Sequence, residues 1–157
     1  MSANNKNTIP ADIDAQALDN QICFPLYAAS RLVTRLYQPL LEPLGLTYPQ
    51  YIVLLILWED KPCTVSHIGR RAQLATNTLT PLLKRLDAME LIERRRSTDD
   101  ERVVTILLTR AGKALRRRCA CIPEQLFTQV GYPIEDAIAL KRQLDQFLTH
   151  LKGLDTD

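Results

Sequence analysis

Residues 76–108 read TNTLTPLLKRLDAMELIERRRSTDDERVVTILL, and two different periods follow one another in that stretch. Leu79, Leu82, Leu83 and Leu86 recur at i, i+3, i+4 and i+7, the apolar stripe of an amphipathic helix. Leu91 to Arg96 and Arg102 to Leu108 are extended runs, the second rich in β-branched residues. They flank the polar turn Ser97-Thr98-Asp99-Asp100-Glu101 and predict a two-stranded hairpin. Pro81 requires the helix to begin late, with Thr76, Asn77 or Thr78 as its cap.

Upstream, Thr64 caps a helix from Val65 to Gln73, and the short turn at Leu74-Ala75 joins it to the leucine-striped helix. Before it, Thr47 and Gln50 have capping-box spacing and open a helix that runs through the apolar stretch Ile52 to Trp58. Asp60-Lys61-Pro62 stops that helix. Residues 13–41 carry a longer helical pattern through Leu18, Ile22, Leu26, Ala29, Val33, Leu36 and Leu40. Pro25 belongs in a first turn, so the helix proper begins near Phe24 and Asp14 to Gln21 form a separate turn. Downstream, Thr109 caps a helix that kinks at Pro123 and continues to about Val130. Gly131-Tyr132-Pro133 break the chain. A last helix spans Ile134 to Leu151, with Ala137, Leu140, Leu144, Phe147, Leu148 and Leu151 on one side.

The order helix, helix, helix–turn–helix, hairpin, helix, helix describes a mainly α winged helix-turn-helix with a small β-hairpin wing. Residues 1–12 read as a disordered polar lead and 13–157 as one domain. Helices over approximately 13–46 and 110–151 flank a lobe of approximately 47–109. Long apolar stripes at both ends of so small a domain call for a partner surface, which a homodimer supplies.

Composition narrows the classes. Hydrophobic residues are 46% and charged residues 24%, enough for an ordinary core. No apolar run approaches the roughly 18–20 residues of a membrane span, so no membrane partner is expected. The first residues lack a secretory pattern, and four cysteines then read as reduced thiols in a cytoplasmic protein. Net charge is only +2, but residues 61–118 hold 14 Lys/Arg against 6 Asp/Glu. A basic middle between acidic ends is the footprint of a polyanion-binding surface.

That charge falls where double-stranded DNA would be read. Opposite the leucine stripe stand Thr76, Asn77 and Thr80, with Lys84 and Arg85 further along: short hydrogen-bonding groups for base edges, then cations for phosphate. Arg94, Arg95, Arg96 and Arg102 put four guanidinium groups on the ribbon, suited to the backbone and a narrow minor groove. Asp100, two residues before Arg102, can hold that guanidinium in a fixed pose.

Asp100-Glu101-Arg102 with the following apolar strand and Leu108-Thr109 resembles the wing signature of the MarR family of regulators, and Leu79 to Leu86 resembles its recognition helix. The similarity covers roughly residues 16–150. It implies a dimeric repressor on a pseudo-palindromic operator, with no cofactor and no enzymatic activity. Glu90 stands where glycine commonly ends the recognition helix. A left-handed glutamate costs about 1 kcal/mol, so this corner is expected to be shaped differently.

Cys23 lies at the front of the first long helix, where free backbone N–H groups favour thiolate, the form that attacks peroxides. A cysteine at a helix start is as often inert. The surrounding Asp19-Asn20-Gln21-Ile22-Cys23-Phe24 and Leu46-Thr47-Tyr48-Pro49-Gln50-Tyr51 resemble the OhrR branch of the family, the organic-hydroperoxide sensors. The resemblance implies that Cys23 is the peroxide-reactive thiol, that Tyr37 and Tyr48 donate to it from the partner subunit, and that Tyr27 lies nearby. Pro25 and Thr128 depart from the branch. Thr128 occupies the region where two-cysteine members carry their resolving thiol, so the resemblance implies a one-cysteine sensor whose sulfenate is trapped by a small cellular thiol, unless a dimer geometry different from the branch's lets Cys121 or Cys119 resolve it. Cys119 sits on an apolar stripe with Leu115, Ile122 and Leu126 and reads as structural. Cys63 beside Pro62 reads as a loop bystander, and Cys119-x-Cys121 has too few companions for a metal site. Two alternatives share these residues: a regulator released by a small aromatic ligand between its dimer and wing regions, and a thiol peroxidase. The second has no use for a basic wing.

Overall fold

The computed structural model describes residues 9–10, 12–60, 62–96 and 103–154. A 3-10 turn, Leu18–Asn20, precedes α1 (Cys23–Leu41). A second 3-10 turn, Glu42–Leu44, leads into α2 (Tyr48–Glu59). There follow β1 (Cys63–Thr64), α3 (Val65–Ala72), α4 (Thr76–Ala88), β2 (Ile92–Arg96), β3 (Val104–Leu108), α5 (Arg110–Arg118), α6 (Ile122–Val130) and α7 (Ile134–Leu154). Among the described residues no single helix is long and apolar enough to cross a membrane.

The expected caps hold at three helices. Gln50 Oε1 accepts the Thr47 N–H at 2.8 Å, the return half of the capping box at α2. Thr64 accepts from the His67 N–H at α3, and Thr109 accepts from the Gly112 N–H at α5. At α4 the expectation fails. The helix starts early, its N-cap is Ala75 without a side-chain bond, and Pro81 lies inside it. Pro81 is exposed, so the Asn77 carbonyl that loses its backbone donor can be met by water.

Two further expectations are corrected. The sheet has three antiparallel strands in the order β1-β3-β2, because Cys63 and Thr64 pair with Ile106 and Thr105. Cys63 is therefore a buried strand residue and not a loop bystander. The helix from Thr109 does not run on through a kink: it ends at Arg118, and α6 starts afresh at Ile122 with Pro123 in its first turn. The Cys119 carbonyl accepts the Ile122 N–H across the break.

The core is built around α2, whose Val53, Leu54 and Leu57 are fully buried. Ile68 from α3, Leu79, Leu83 and Leu86 from α4, and Ile92 and Ile106 from the sheet close over it. The outer helices are different. Phe24, Tyr27, Leu32 and Val33 of α1 are exposed, and α7 has no buried residue although Leu140, Leu148 and Leu151 line it. An amphipathic helix owes its stability in water mostly to a covered apolar face, and among the described residues this one is covered only in part, at Ala137, Ala139, Leu144 and Phe147.

The corner after α4 is left-handed after all, with Glu90 at φ 57°. The Leu91 N–H reaches back to the Leu86 carbonyl at 3.0 Å, and Thr109 Oγ1 donates to the Glu90 carbonyl at 2.6 Å. These bonds offset the strain that the sequence alone argued against. The next residue, Leu91, presents its carbonyl to Gly112, where an added Cβ would lie 2.0 Å from that oxygen. Gly112→Ala should therefore destabilise the protein by about 3 kcal/mol, and Glu90→Gly should stabilise it by about 1 kcal/mol. Both changes are measurable as shifts in the urea unfolding midpoint.

Candidate nucleic-acid interface and thiol site

The buried leucines decide which side of α4 is offered outward. With Leu79, Leu83 and Leu86 at 1% exposure or less, Thr76, Asn77, Lys84 and Arg85 all stand exposed. Thr80 is half-buried, and its hydroxyl donates to the Thr76 carbonyl at 2.8 Å. Asn77 Oδ1 takes a longer bond from Thr78 Oγ1, 3.4 Å. The N-terminal turn of α4 thus presents its own N–H groups together with Thr76 and Asn77, the arrangement for reading an acceptor-rich groove.

On β2 the strand alternation separates the three arginines. Arg94 and Arg96 share the face of Ile92, and Arg95 shares the other with Glu93. Arg95 is held by Glu93 in a two-pronged ion pair, Nε to Oε1 and the terminal nitrogen to Oε2, both 2.9 Å. The hydrogen bond from Arg95 lowers the carboxyl of Glu93 below its ordinary value. Arg96 is exposed, while Arg94 is half-buried and its Nε lies buried without a hydrogen-bond partner among the described residues. Asp100 and Arg102 lie outside the described residues. Sequence reasoning sought a carboxylate clamp at the ribbon's tip and missed Glu93, although a Glu-x-Arg spacing on a strand was its signal.

A second network was also missed. Asp60, after α2, accepts from His67 at 2.9 Å and from Arg71, while Arg71 also donates to Glu59 at 2.7 Å. The hydrogen bond from His67, then that from Arg71, lowers the Asp60 carboxyl. This network ties the end of α2 to the first helix of the helix–turn–helix pair.

Cys23 is the first residue of α1 and is exposed, with its thiol 3.7 Å from Gln21 Oε1. Tyr37 and Tyr48 come together from α1 and α2 with ring centres 4.6 Å apart, and Tyr51 stands behind them. Tyr27 is exposed beneath the Arg31 guanidinium. Tyr37 is fourteen residues along α1 from Cys23, about 21 Å at 1.5 Å per residue. The structure joins the two phenols to each other and not to the thiol of their own chain. Cys121 is exposed, with its thiol near the Arg118 carbonyl, whereas Cys119 is buried and its thiol is pushed up by that burial.

An α4 with an exposed polar face, followed by an arginine-bearing ribbon, defines a winged helix-turn-helix transcriptional regulator. The comparisons agree. Residues 35–118 match the SarA/Rot family of transcriptional regulators. An organic hydroperoxide resistance transcriptional regulator of Bacillus subtilis is 44% identical over 138 residues, 88% of this chain and 94% of its own. The regulator MgrA of Staphylococcus aureus is 42% identical over 136 residues, 86% of this chain and 92% of its own. Reduced AbfR bound to DNA superposes with a TM-score of 0.68 at 39% identity, over 85% of this chain and 94% of that one. AbfR has also been solved overoxidised on DNA and in a disulfide form. The chain belongs to the MarR family, in the branch of the organic hydroperoxide resistance regulators.

Burial first, then the neighbouring Tyr48, raises Tyr37. Burial alone raises Tyr48, and burial aided by Tyr37 pushes Tyr51 up to about 12. A phenol with a raised pKa keeps its proton in the folded state while the unfolded chain has lost it. Its contribution is intact below the ordinary value of 10.0 and is lost as pH climbs to about 12. Alkaline unfolding should therefore steepen across that window, and Tyr51→Phe should flatten it, as followed by circular dichroism against pH.

Proposed function

We propose that this protein is a homodimeric, DNA-binding repressor that leaves a pseudo-palindromic operator when an organic hydroperoxide oxidises Cys23. The observation that carries the reading is the exposed Cys23 thiol at the start of α1, in a chain 44% identical to an organic hydroperoxide resistance regulator. The chemistry balances simply. The Cys23 thiolate attacks the outer peroxide oxygen, the O–O bond breaks, an alcohol leaves, and the sulfur is left as sulfenate. A second thiol then condenses with the sulfenic acid to a disulfide and releases water. Cys121 is accessible for that step and Cys119 is not, which leaves Cys121 or a small cellular thiol as the partner.

Pairing supports the same reading. The uncovered apolar faces of α1 and α7 fit a second copy, with residues of approximately 13–46 and 110–151 forming the dimer region and 47–109 the DNA-reading lobe. Two-fold pairing also answers the separation of about 21 Å within one chain, since a partner's Tyr37 and Tyr48 can meet Cys23 where its own cannot. A phenol with an ordinary value of 10.0 is protonated near neutral pH, and burial pushes both further in that direction, so both can donate to a thiolate or sulfenate. Tyr27, one turn beyond Cys23, lies on the same side of α1. Two α4 helices about 34 Å apart would enter successive major grooves. Thr76, Asn77 and Thr80 then face base edges, while Lys84, Arg85, Arg94, Arg95 and Arg96, with Arg102 and its neighbour Asp100, serve the backbone and minor groove. A change in the packing of α1 alters that spacing.

A cavity of about 630 Å³ between α1 and the start of α2, lined by Arg31, Arg35 and Tyr48, favours a second reading: release by an aromatic carboxylate. Electrophoretic mobility shift with the protein's own operator separates the two. Cumene hydroperoxide should release the wild type and leave Cys23→Ser bound, whereas release of both by salicylate alone would favour the second reading. Peroxide release of Cys23→Ser would overturn the sensor assignment. Lys84→Ala should weaken binding across sequences and reduce the slope of log affinity against log salt by about one, measured by fluorescence anisotropy.

A further inference from the structure

Asp60, Cys63 and His67 come from three consecutive pieces of chain: the residue after α2, the first residue of β1 and the first turn of α3. One ligand atom from each, a carboxylate oxygen, the sulfur and a ring nitrogen, lies within 4.8 Å of the other two. His67 Nε2 already stands 2.9 Å from Asp60 Oδ2. All three line one surface pocket with Pro62, Thr64 and Arg70, so an ion from solvent has a way in. We propose that Asp60, Cys63 and His67 form a binding site for a thiophilic divalent cation of the zinc type.

The donor set supports that chemistry. One thiolate, one imidazole and one carboxylate suit zinc, and three protein ligands leave a fourth position for water. Ideal tetrahedral bonds of zinc to sulfur, nitrogen and oxygen place neighbouring donors roughly 3.3–3.8 Å apart. Separations of up to 4.8 Å must therefore close by about 1 Å at most, while the 2.9 Å between His67 Nε2 and Asp60 Oδ2 must open by roughly half an ångström. Side-chain rotation can supply both changes, because Asp60 and His67 are 36% and 41% exposed at their side chains.

Two existing bonds must change. Arg71 donates to Asp60 Oδ2 and competes with the ion there, but it keeps its bond to Glu59 at 2.7 Å when it yields. The Cys63 thiol donates to the Asp60 carbonyl, and burial together with the Asp60 charge resists its ionisation. On binding, the S–H bond breaks, a sulfur–metal bond forms and the proton passes to solvent, so no oxidant or reductant is involved. The ion would clamp the root of the wing, since β1 pairs with Ile106 and Thr105 of β3 and Thr64 caps α3. The site uses none of the residues assigned to peroxide sensing or DNA reading.

The test is a titration of the full-length, reduced, chelator-stripped protein with Co²⁺, read by near-ultraviolet thiolate-to-cobalt absorption and by displacement with Zn²⁺. One ion per chain is expected. The absorption should persist in Cys23→Ser and Cys121→Ser, vanish in Cys63→Ser, and require roughly tenfold or more Co²⁺ in His67→Gln. His67 is partly exposed, so His67→Gln reports on the site even where loss of the buried Cys63 impairs folding. No thiolate absorption in the wild type would overturn the proposal. So would absorption that is lost with Cys23 or Cys121, or that His67→Gln leaves unchanged.

Discussion

The geometry of the DNA-reading lobe depends on a close approach at Gly112. The Leu91 carbonyl sits where any side chain at Gly112 would be, so the corner between α4 and β2 packs directly on the backbone of α5. On the other side the Trp58 indole donates to the Gly112 carbonyl at 3.0 Å, which ties the same residue to the central helix α2. Thr109 completes the junction by capping α5 and donating to the Glu90 carbonyl. A buried carbonyl without a partner costs about 1–3 kcal/mol, so these bonds strongly restrict the angle between recognition helix and wing.

Away from that junction burial is uneven. Inside the lobe, leucines and isoleucines of five elements bury one another almost fully. Outside it, α1 and α7 leave large apolar side chains in water, and α7 buries none of its residues. Burial stabilises by roughly 25 cal/mol per Å² of apolar surface, so faces this long represent a considerable unmet driving force. Cys23 at the head of α1 and the Tyr37–Tyr48 pair formed by α1 and α2 are likewise kept apart, since fourteen residues of helix, about 21 Å, separate Cys23 from Tyr37.

Charge is arranged to be selective rather than merely abundant. Lys84, Arg85 and Arg96 are exposed and have no ion-pair partner among the described residues, whereas Arg95 is oriented by Glu93. Arg71, equally basic, is occupied by Asp60 and Glu59 and serves the helix–turn–helix scaffold. A count of arginines treats all of these alike. The acidic partners show which of them are already engaged within the chain.

Much of the fold could be read directly from residue spacing. The leucine stripe of α4, the Thr47/Gln50 box and the Thr64 and Thr109 caps are local, because each needs only neighbours three or four residues away. The position of Cys23 at the head of α1 was legible for the same reason. What spacing could not supply were contacts between residues far apart in the chain. The third strand exists because Cys63 meets Ile106, and Glu90 tolerates a left-handed corner because Thr109, nineteen residues on, bonds its carbonyl. The break before Pro123 and the start of α4 at Thr76, ahead of Pro81, were likewise visible only in the folded chain. By itself the sequence determined the order of the elements and the chemistry each carries, since helix period and capping are short-range. Only the tertiary structure decided which arginines are engaged, which cysteines are reachable and which carboxylate meets which cation, because those follow from distances between segments that the chain brings together only on folding.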